Sequence, residues 1–409
     1  MNNIADPAVL EPAAAEAALS ASTLDGLRAR ARSMARIAAE HAQSVDREAR
    51  FPKEAYAVAK SERLLGMLIP REFGGDGASI SDAAEVSYIL GQACGATSLI
   101  FSMHSIMIAI LVRHAQSSAW HQGFMRKIAD EQLLVASSTT EGLGGGDVRS
   151  SSCFVEPTGG GRMKMTREAT VLSYAVEADA LLTTSRRSAE SAPSDQVLVA
   201  LVKGDYHFEP LKDWNVMGMR GTSSAGHSLK ATGLVEQVLP VPYDVIHKHS
   251  MGPIAHLTWG GTWAGVAAGA VARARQFVRT AARQANGQLP PGAPHLTRAT
   301  MSLRALRGQL AAALLRFEAA GSDPKLLESL DFQTSMTLLK VNNSELAIET
   351  VMSALRACGL SGYREEGEFS VTRHLRDILS SMIMINNDRI LANAANAAML
   401  SDVPSFLRD

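Results

Sequence analysis

The stretch HLRDILSSMIMINNDRI (His374 to Ile390) opens with charge, turns almost wholly apolar, and closes on Asn386, Asn387, Asp388 and Arg389. Its chemistry-bearing groups sit at the two ends, His374, Arg376 and Asp377 at one and the two amides, Asp388 and Arg389 at the other, with an apolar run between them. Other chemistry-bearing stretches are excluded on spacing. The glycine-rich EGLGGGDV (Glu141 to Val148) puts Asp147 where GxGxxG needs its last glycine and is not followed by GK[ST], so by itself it reads as a loop. GTSSAG (Gly221 to Gly226) is one residue too long for the GxSxG elbow of a serine hydrolase. HKH (His247 to His249) has no partner at metal-ligand spacing and reads as surface histidines. REEGEF (Arg364 to Phe369) reads as a solvated acidic turn.

The elements that must position such residues are bounded by composition. The chain has 409 residues, 46% apolar and 20% charged, with a formal net charge of -1. That is a soluble globular balance with room for two or three domains. No global field would draw it to nucleic acid or to an anionic membrane. Cys94, Cys153 and Cys358 are far apart and form no CxxC pair, which fits a reducing cytoplasm and neither a disulfide framework nor a zinc site. The first residues lack a basic segment followed by an apolar core, so no signal peptide is expected. SLIFSMHSIMIAILV (Ser98 to Val112) is shorter than the roughly 20 residues of a bilayer span and is expected to be a buried helix.

Three zones follow. Residues 1–135 carry helical spacing, with Leu27, Ala31, Met34 and Ala38 on one face. Residues 136–245 are strand-like at ADALLTTSR and QVLVALVKG, with a glycine turn at TGGGRMKM. Residues 246–409 return to helix. There WGGTWAGVAAGAVARARQFVRTAARQ is long and rich in small residues that would let another backbone approach, and further helices are expected over Leu296–Ala320 and Leu326–Cys358. The expected class is α+β: an N-terminal helical domain, a middle β-barrel-like domain and a C-terminal four-helix bundle.

Five segments, in order, carry a resemblance over nearly the whole chain: LLGMLIPREFGGDG (Leu64 to Gly77), STTEGLGGGDV (Ser138 to Val148), VMGMRGTSSAGHSLKATGLVEQVLPVP (Val216 to Pro242), ACGLSGY (Ala357 to Tyr363) and VTRHLRDI (Val371 to Ile378). On these the sequence resembles the acyl-CoA dehydrogenase superfamily. The resemblance implies FAD held between the β domain and the C-terminal helices, in a homotetramer or homodimer. Thr139 and Thr140 would meet the polar flavin edge, and Gly145 and Gly146 would permit close approach. ATVLSYAVEAD (Ala169 to Asp179) matches a strand in which Ser173 puts a hydroxyl beside the flavin. Val171 stands where the family commonly stacks an aromatic ring. Arg283 matches an arginine that reaches a neighbouring subunit's FAD pyrophosphate. Gly359 and Leu360 match a turn near the adenylate, and Asn387 and Arg389 match two polar positions near FAD.

The family's reaction removes the α-proton of an acyl thioester while the β-hydride goes to the flavin. That proton needs a buried carboxylate of raised pKa. Counted from Arg376 and Asp377, the usual base position is Ile385. The alternative position, on the helix after the β domain, is Ala255, next to His256. Neither Ile385 nor Ala255 can take a proton. A base from elsewhere would be Asp388, His256, His104 or a residue of REEGEF.

Three functions remain open at this point. The first is an FAD-dependent dehydrogenase of a thioester on CoA or an acyl-carrier protein, passing electrons to an electron-transfer flavoprotein. The second is a flavin monooxygenase on the same fold, supplied by a flavin reductase, which needs no α-carbon base. The third is a non-catalytic flavoprotein subunit.

Overall fold

A computed structural model describes residues 11–141 and 149–400. The first layer is helical: α1 (Glu11–Arg47), α2 (Lys53–Ser61), α3 (Ile80–Ala93), α4 (Gly95–His114) and α5 (Ala119–Glu131). The face of α1 predicted from spacing is the buried one, with Leu27, Ala31, Met34 and Ala38 all sealed in the core. α3 starts at a capping box: Ser79 Oγ accepts from the Asp82 N–H, and the Asp82 carboxylate accepts from the Ser79 N–H. α4 reaches 20 residues and is apolar enough to cross a membrane, yet 89% of its most apolar window is buried inside the protein.

Two sheets follow. β1 (Val135–Ser138) pairs in parallel with β4 (Ala180–Arg186), which pairs antiparallel with β5 (Gln196–Val202). The second sheet is antiparallel throughout, in the order β2 (Glu156–Gly159), β3 (Arg162–Ala169), β7 (Gly226–Leu234) and β6 (Tyr206–Lys212). β3 alternates exposed and buried residues along its whole length, as a strand with one wet face must. The strand expected over Ala169–Asp179 does not continue past Ala169. Residues 170–179 form turns instead, because their N–H groups bond a loop: Leu172 to the Ala225 carbonyl and Tyr174 to that of Thr222. Tyr174 takes φ +43° there.

The last layer comprises α6 (Tyr243–Ile246), a π-helical turn (His247–Met251), α7 (Gly252–Gln284), α8 (Ala293–Ala320), α9 (Pro324–Leu327), α10 (Leu330–Cys358), α11 (Leu360–Tyr363), α12 (Thr372–Ile383) and α13 (Asn387–Leu400). The helix expected from Leu326 is broken. Ser329 caps a new start by accepting the Phe332 N–H, so α10 begins at Leu330. His249 is not a surface histidine: it is buried in the π turn with Nε2 2.8 Å from Glu328 Oε1.

α7 joins the layers. A Cβ on Gly261 would sit 2.5 Å from the Ala84 carbonyl oxygen, and one on Gly265 2.4 Å from that of Tyr88. The small residues of α7 therefore let α3 lie against it backbone to backbone. A hydroxyl chain crosses the same seam, where Thr262 Oγ1 meets Ser98 Oγ at 2.8 Å and Ser102 Oγ at 2.7 Å.

Candidate active site

A cavity of about 570 Å³ opens where these layers meet. That is within the range of small-molecule sites, roughly 300–1,000 Å³. α4 supplies Leu99, Met103, Ile106 and Met107, and the end of β1 leads into Thr139 and Thr140. The turns after β3 supply Val171 and Ser173. The loop before β7 supplies Trp214, Met217, Met219, Thr222 and Ser224. The far wall is Met251, Trp259, Ile383, Met384 and Ile385.

The loop is tied down at several points. The Met219 N–H donates to Asp377 Oδ1 at 2.7 Å, and Arg376 Nη1 donates to the Met217 carbonyl at 2.9 Å. Gly218 packs against the Arg376 carbonyl, only 1.9 Å from where a Cβ would stand, so no other residue fits. Burial pushes the Asp377 carboxyl up to about 6, against the pull of Arg373 and the Met219 N–H.

One side of the cavity is polar in a directed way. Thr222 Oγ1 donates to the Met219 carbonyl at 2.8 Å, which can only accept. Ser224 Oγ, 2.7 Å from Thr222 Oγ1, must then donate to it. Ser173 Oγ, 2.8 Å from Ser224 Oγ, donates in turn. Ser173 is left with lone pairs for a ligand N–H or O–H. Beside it Val171 stays 47% exposed, an apolar face without the stacked aromatic ring of the family pattern. A planar heteroaromatic group with N–H and carbonyl edges, such as a flavin ring, fits Thr139, Thr140, Val171 and Ser173.

The other positions named from sequence fall elsewhere. Gly145 and Gly146 lie outside the described residues. Ala255 is in the core and does not line the cavity. His256 is buried with Nδ1 2.9 Å from the Met336 carbonyl, and burial pushes it down to about 4. His104 bonds the Leu65 carbonyl through Nε2 and accepts the Val135 N–H on Nδ1, so both ring nitrogens are used in structure. Asp388 is exposed in the first turn of α13. The carboxylates of REEGEF are exposed; Glu366 pairs with Arg47.

Asn387 is engaged within the protein and does not line the cavity. Its Oδ1 accepts from Lys340 Nζ at 2.6 Å and its Nδ2 donates to Ser344 Oγ at 2.9 Å, both inside the core. Arg389, Gly359 and Leu360 do not line the cavity either. Arg283 is exposed near the end of α7, roughly 36 Å along the helix from Trp259 at about 1.5 Å per residue.

Glu141 is the carboxylate among the described residues that line the cavity. Its oxygens accept from Ser151 Oγ, Ser152 N–H and Ser152 Oγ, and it pairs with buried Arg167 at 3.1 Å. Burial pushes its pKa up, but these donors outweigh it and hold the group below its ordinary range. Ile385, the position counted from Arg376 and Asp377 in the sequence, does line the cavity, with φ +47°.

Sequence reasoning missed Trp214, Thr222, Ser224, Trp259 and the methionines of α4. A polar–apolar alternation cannot reveal them, since each faces the cavity only through the docking of separate elements.

Comparison with known proteins agrees with this architecture. Residues 23–132 match the family model "Acyl-CoA dehydrogenase, N-terminal domain", and residues 255–400 match "Acyl-CoA dehydrogenase, C-terminal domain". Mitochondrial isovaleryl-CoA dehydrogenase of Pongo abelii is 25% identical over 191 residues, 46% of this chain and 45% of that protein. The 3-sulfinopropanoyl-CoA desulfinase of Paraburkholderia xenovorans is 37% identical over 62 residues, 15% of this chain and 16% of that protein. The chain thus spans less than half the length of the curated relatives it matches. Among solved structures, FMN-bound TdsC from a Paenibacillus species has a TM-score of 0.81 at 18% identity, covering 93% of this chain and 98% of that one. Methanesulfinate monooxygenase MsuC from Pseudomonas fluorescens has a TM-score of 0.77 at 19% identity, covering 92% and 97%. With both terminal domains matched and the fold shared throughout, this chain belongs to the acyl-CoA dehydrogenase superfamily.

Proposed function

We propose that the protein is a flavin-dependent monooxygenase acting on a small, uncharged, largely apolar substrate. One observation carries this reading: among the described residues, the cavity wall holds no group free to act as a general base. Ile385 stands at the base position, Ala255 is in the core, and Glu141 is committed to Arg167 and two serines. Removing a thioester α-proton calls for a positioned base, whereas transferring an oxygen atom to the substrate abstracts no α-proton. TdsC, a dibenzothiophene monooxygenase, shares the fold, and at 18% identity that likeness bears on fold alone.

When bound, a reduced flavin supplies the two electrons that split O2 into one oxygen atom for the substrate and one for water. The chain's own part is to bind and to exclude water. Ser173 accepts an N–H, and Thr139 and Thr140 meet the polar edge. The methionines and Trp259 give a dry wall that limits side reactions with solvent. We take the flavin as FAD, in a homotetramer or homodimer whose Arg283 reaches a neighbour's pyrophosphate. The mass of the flavin released on heating distinguishes FAD from FMN.

A second reading, dehydrogenation of an acyl thioester, is favoured by the match to isovaleryl-CoA dehydrogenase. One pair of assays separates the two. With a flavin reductase, NADH and isotopically labelled oxygen, a panel of aromatic and sulfur-containing compounds should yield a labelled product. Hydrogen peroxide as the only product, together with anaerobic flavin bleaching by acyl thioesters, would favour the dehydrogenase.

A further inference from the structure

Lys340, in α10, is fully buried, and among the described residues no carboxylate pairs with it. A lysine in the core without a counter-ion is unfavourable unless its donors are used. Here they are used on one short turn. Nζ donates to the Ile385 carbonyl at 3.2 Å and to Asn387 Oδ1 at 2.6 Å. One helical turn further on, Ser344 Oγ accepts from Asn387 Nδ2 at 2.9 Å. Lys340 and Ser344, four residues apart on one face of α10, therefore grip the connection between α12 and α13. The ammonium also lies 5.9 Å from the Trp263 ring, whose centroid is 6.3 Å from that of the cavity-lining Trp259 in a tilted arrangement.

The turn being gripped is strained. Ile385 has φ +47°, a left-handed conformation that a β-branched residue rarely adopts. Such a conformation persists only where the surroundings over-determine it. Ile385 and Met384 form part of the cavity wall.

We propose that Lys340 is a positioning residue of the site: its ammonium holds the Ile385 carbonyl and so keeps this wall residue in its left-handed conformation. The interaction works from inside the core, so Lys340 touches neither substrate nor cofactor. Burial pushes the lysine down to about 8, so at neutral pH it remains largely an ammonium with its donors in use. The proposal concerns the cavity wall and does not depend on which reaction the cavity performs.

The test is a double-substitution cycle read by hydrogen–deuterium exchange on the purified protein, which needs no turnover. Lys340→Met should raise exchange across residues 384–387 at least tenfold, while α7 and the middle of α10 stay within twofold. Ile385→Gly removes the backbone strain, because glycine adopts positive φ freely. In that background the increment from Lys340→Met should shrink to threefold or less. A lysine that merely fills space would give equal increments in both backgrounds, or no change confined to this turn, and either result overturns the proposal. Should Lys340→Met fail to fold, Lys340→Gln, which keeps a donor but shortens its reach, is read by the same two criteria.

Discussion

Ser173 and Ser224 meet hydroxyl to hydroxyl at 2.8 Å, and the direction of that bond is dictated two residues away. Because Thr222 Oγ1 donates to the Met219 carbonyl, each hydroxyl in the chain donates toward Thr222, and Ser173 faces the cavity as an acceptor. Beside a flavin, an acceptor favours the reduced form, which carries the extra N–H.

Thr222→Val should therefore lower the reduction potential of bound flavin. It removes the acceptor of Ser224, whose hydrogen can then turn to Ser173. One hydrogen bond of about 1 kcal/mol corresponds to roughly 20 mV for a two-electron couple. Spectroscopic titration against an indicator dye reads the shift. A potential that stays put or rises would mean that Ser173 does not accept from the flavin.

Ile385→Glu puts a carboxylate on the apolar wall beside Met384. Partial desolvation there raises a carboxyl pKa toward the range of a useful general base. If the cavity takes an acyl thioester, as the second reading requires, the variant is expected to show anaerobic flavin bleaching about 10²-fold above the wild type, the lower end of what a general base contributes. If the variant retains flavin and binds thioester but bleaches no faster, the substrate α-carbon does not lie beside residue 385.

Glu141→Gln is expected to destabilise the protein rather than to abolish a proton transfer. Arg167 is fully buried, and its other acceptors are neutral: the Thr184 carbonyl and hydroxyl and Ser151 Oγ. Leaving such a cation without its carboxylate costs about 3 kcal/mol or more. Denaturant titration should register that loss, and an unchanged midpoint would show that Glu141 contributes little to holding Arg167.

Stability should fall as pH drops from about 6.5 toward 4. Burial holds His104 and His256 down to about 4, against 6.5 when unfolded. In that window the unfolded chain binds protons that these histidines refuse when folded, so their contribution rises with pH up to about 6.5 and then levels, while Asp377, raised to about 6 by burial, offsets part of it. Each histidine contributes on the order of 3 kcal/mol across the window. His256→Gln should flatten the profile of unfolding free energy against pH; an identical slope would show that this histidine is not neutral in the folded protein.

How much of this was legible in the sequence differs by level. The face of α1, the strands β4 and β5, the turn between β2 and β3 and the close approach at α7 follow from local pattern, because burial imposes a period of 3.6 or 2 on whichever residues face the core. The absence of a base at Ile385 and Ala255 was also legible, since it depends only on residue type at a counted position. The turn structure of residues 170–179 was not, because its N–H groups are satisfied by Ala225 and Thr222, some fifty residues away. Nor was the fate of Asn387, which by position resembled a flavin contact. Only the packing of α10 against the α12–α13 turn brings Lys340 and Ser344 within hydrogen-bond reach of it and commits both ends of its amide inside the core. Composition and spacing determine which groups a chain can offer. Which of them face a cavity, and which are consumed by neighbours distant in sequence, depends on how the helices dock, and a buried donor or acceptor must bond whatever that docking brings beside it.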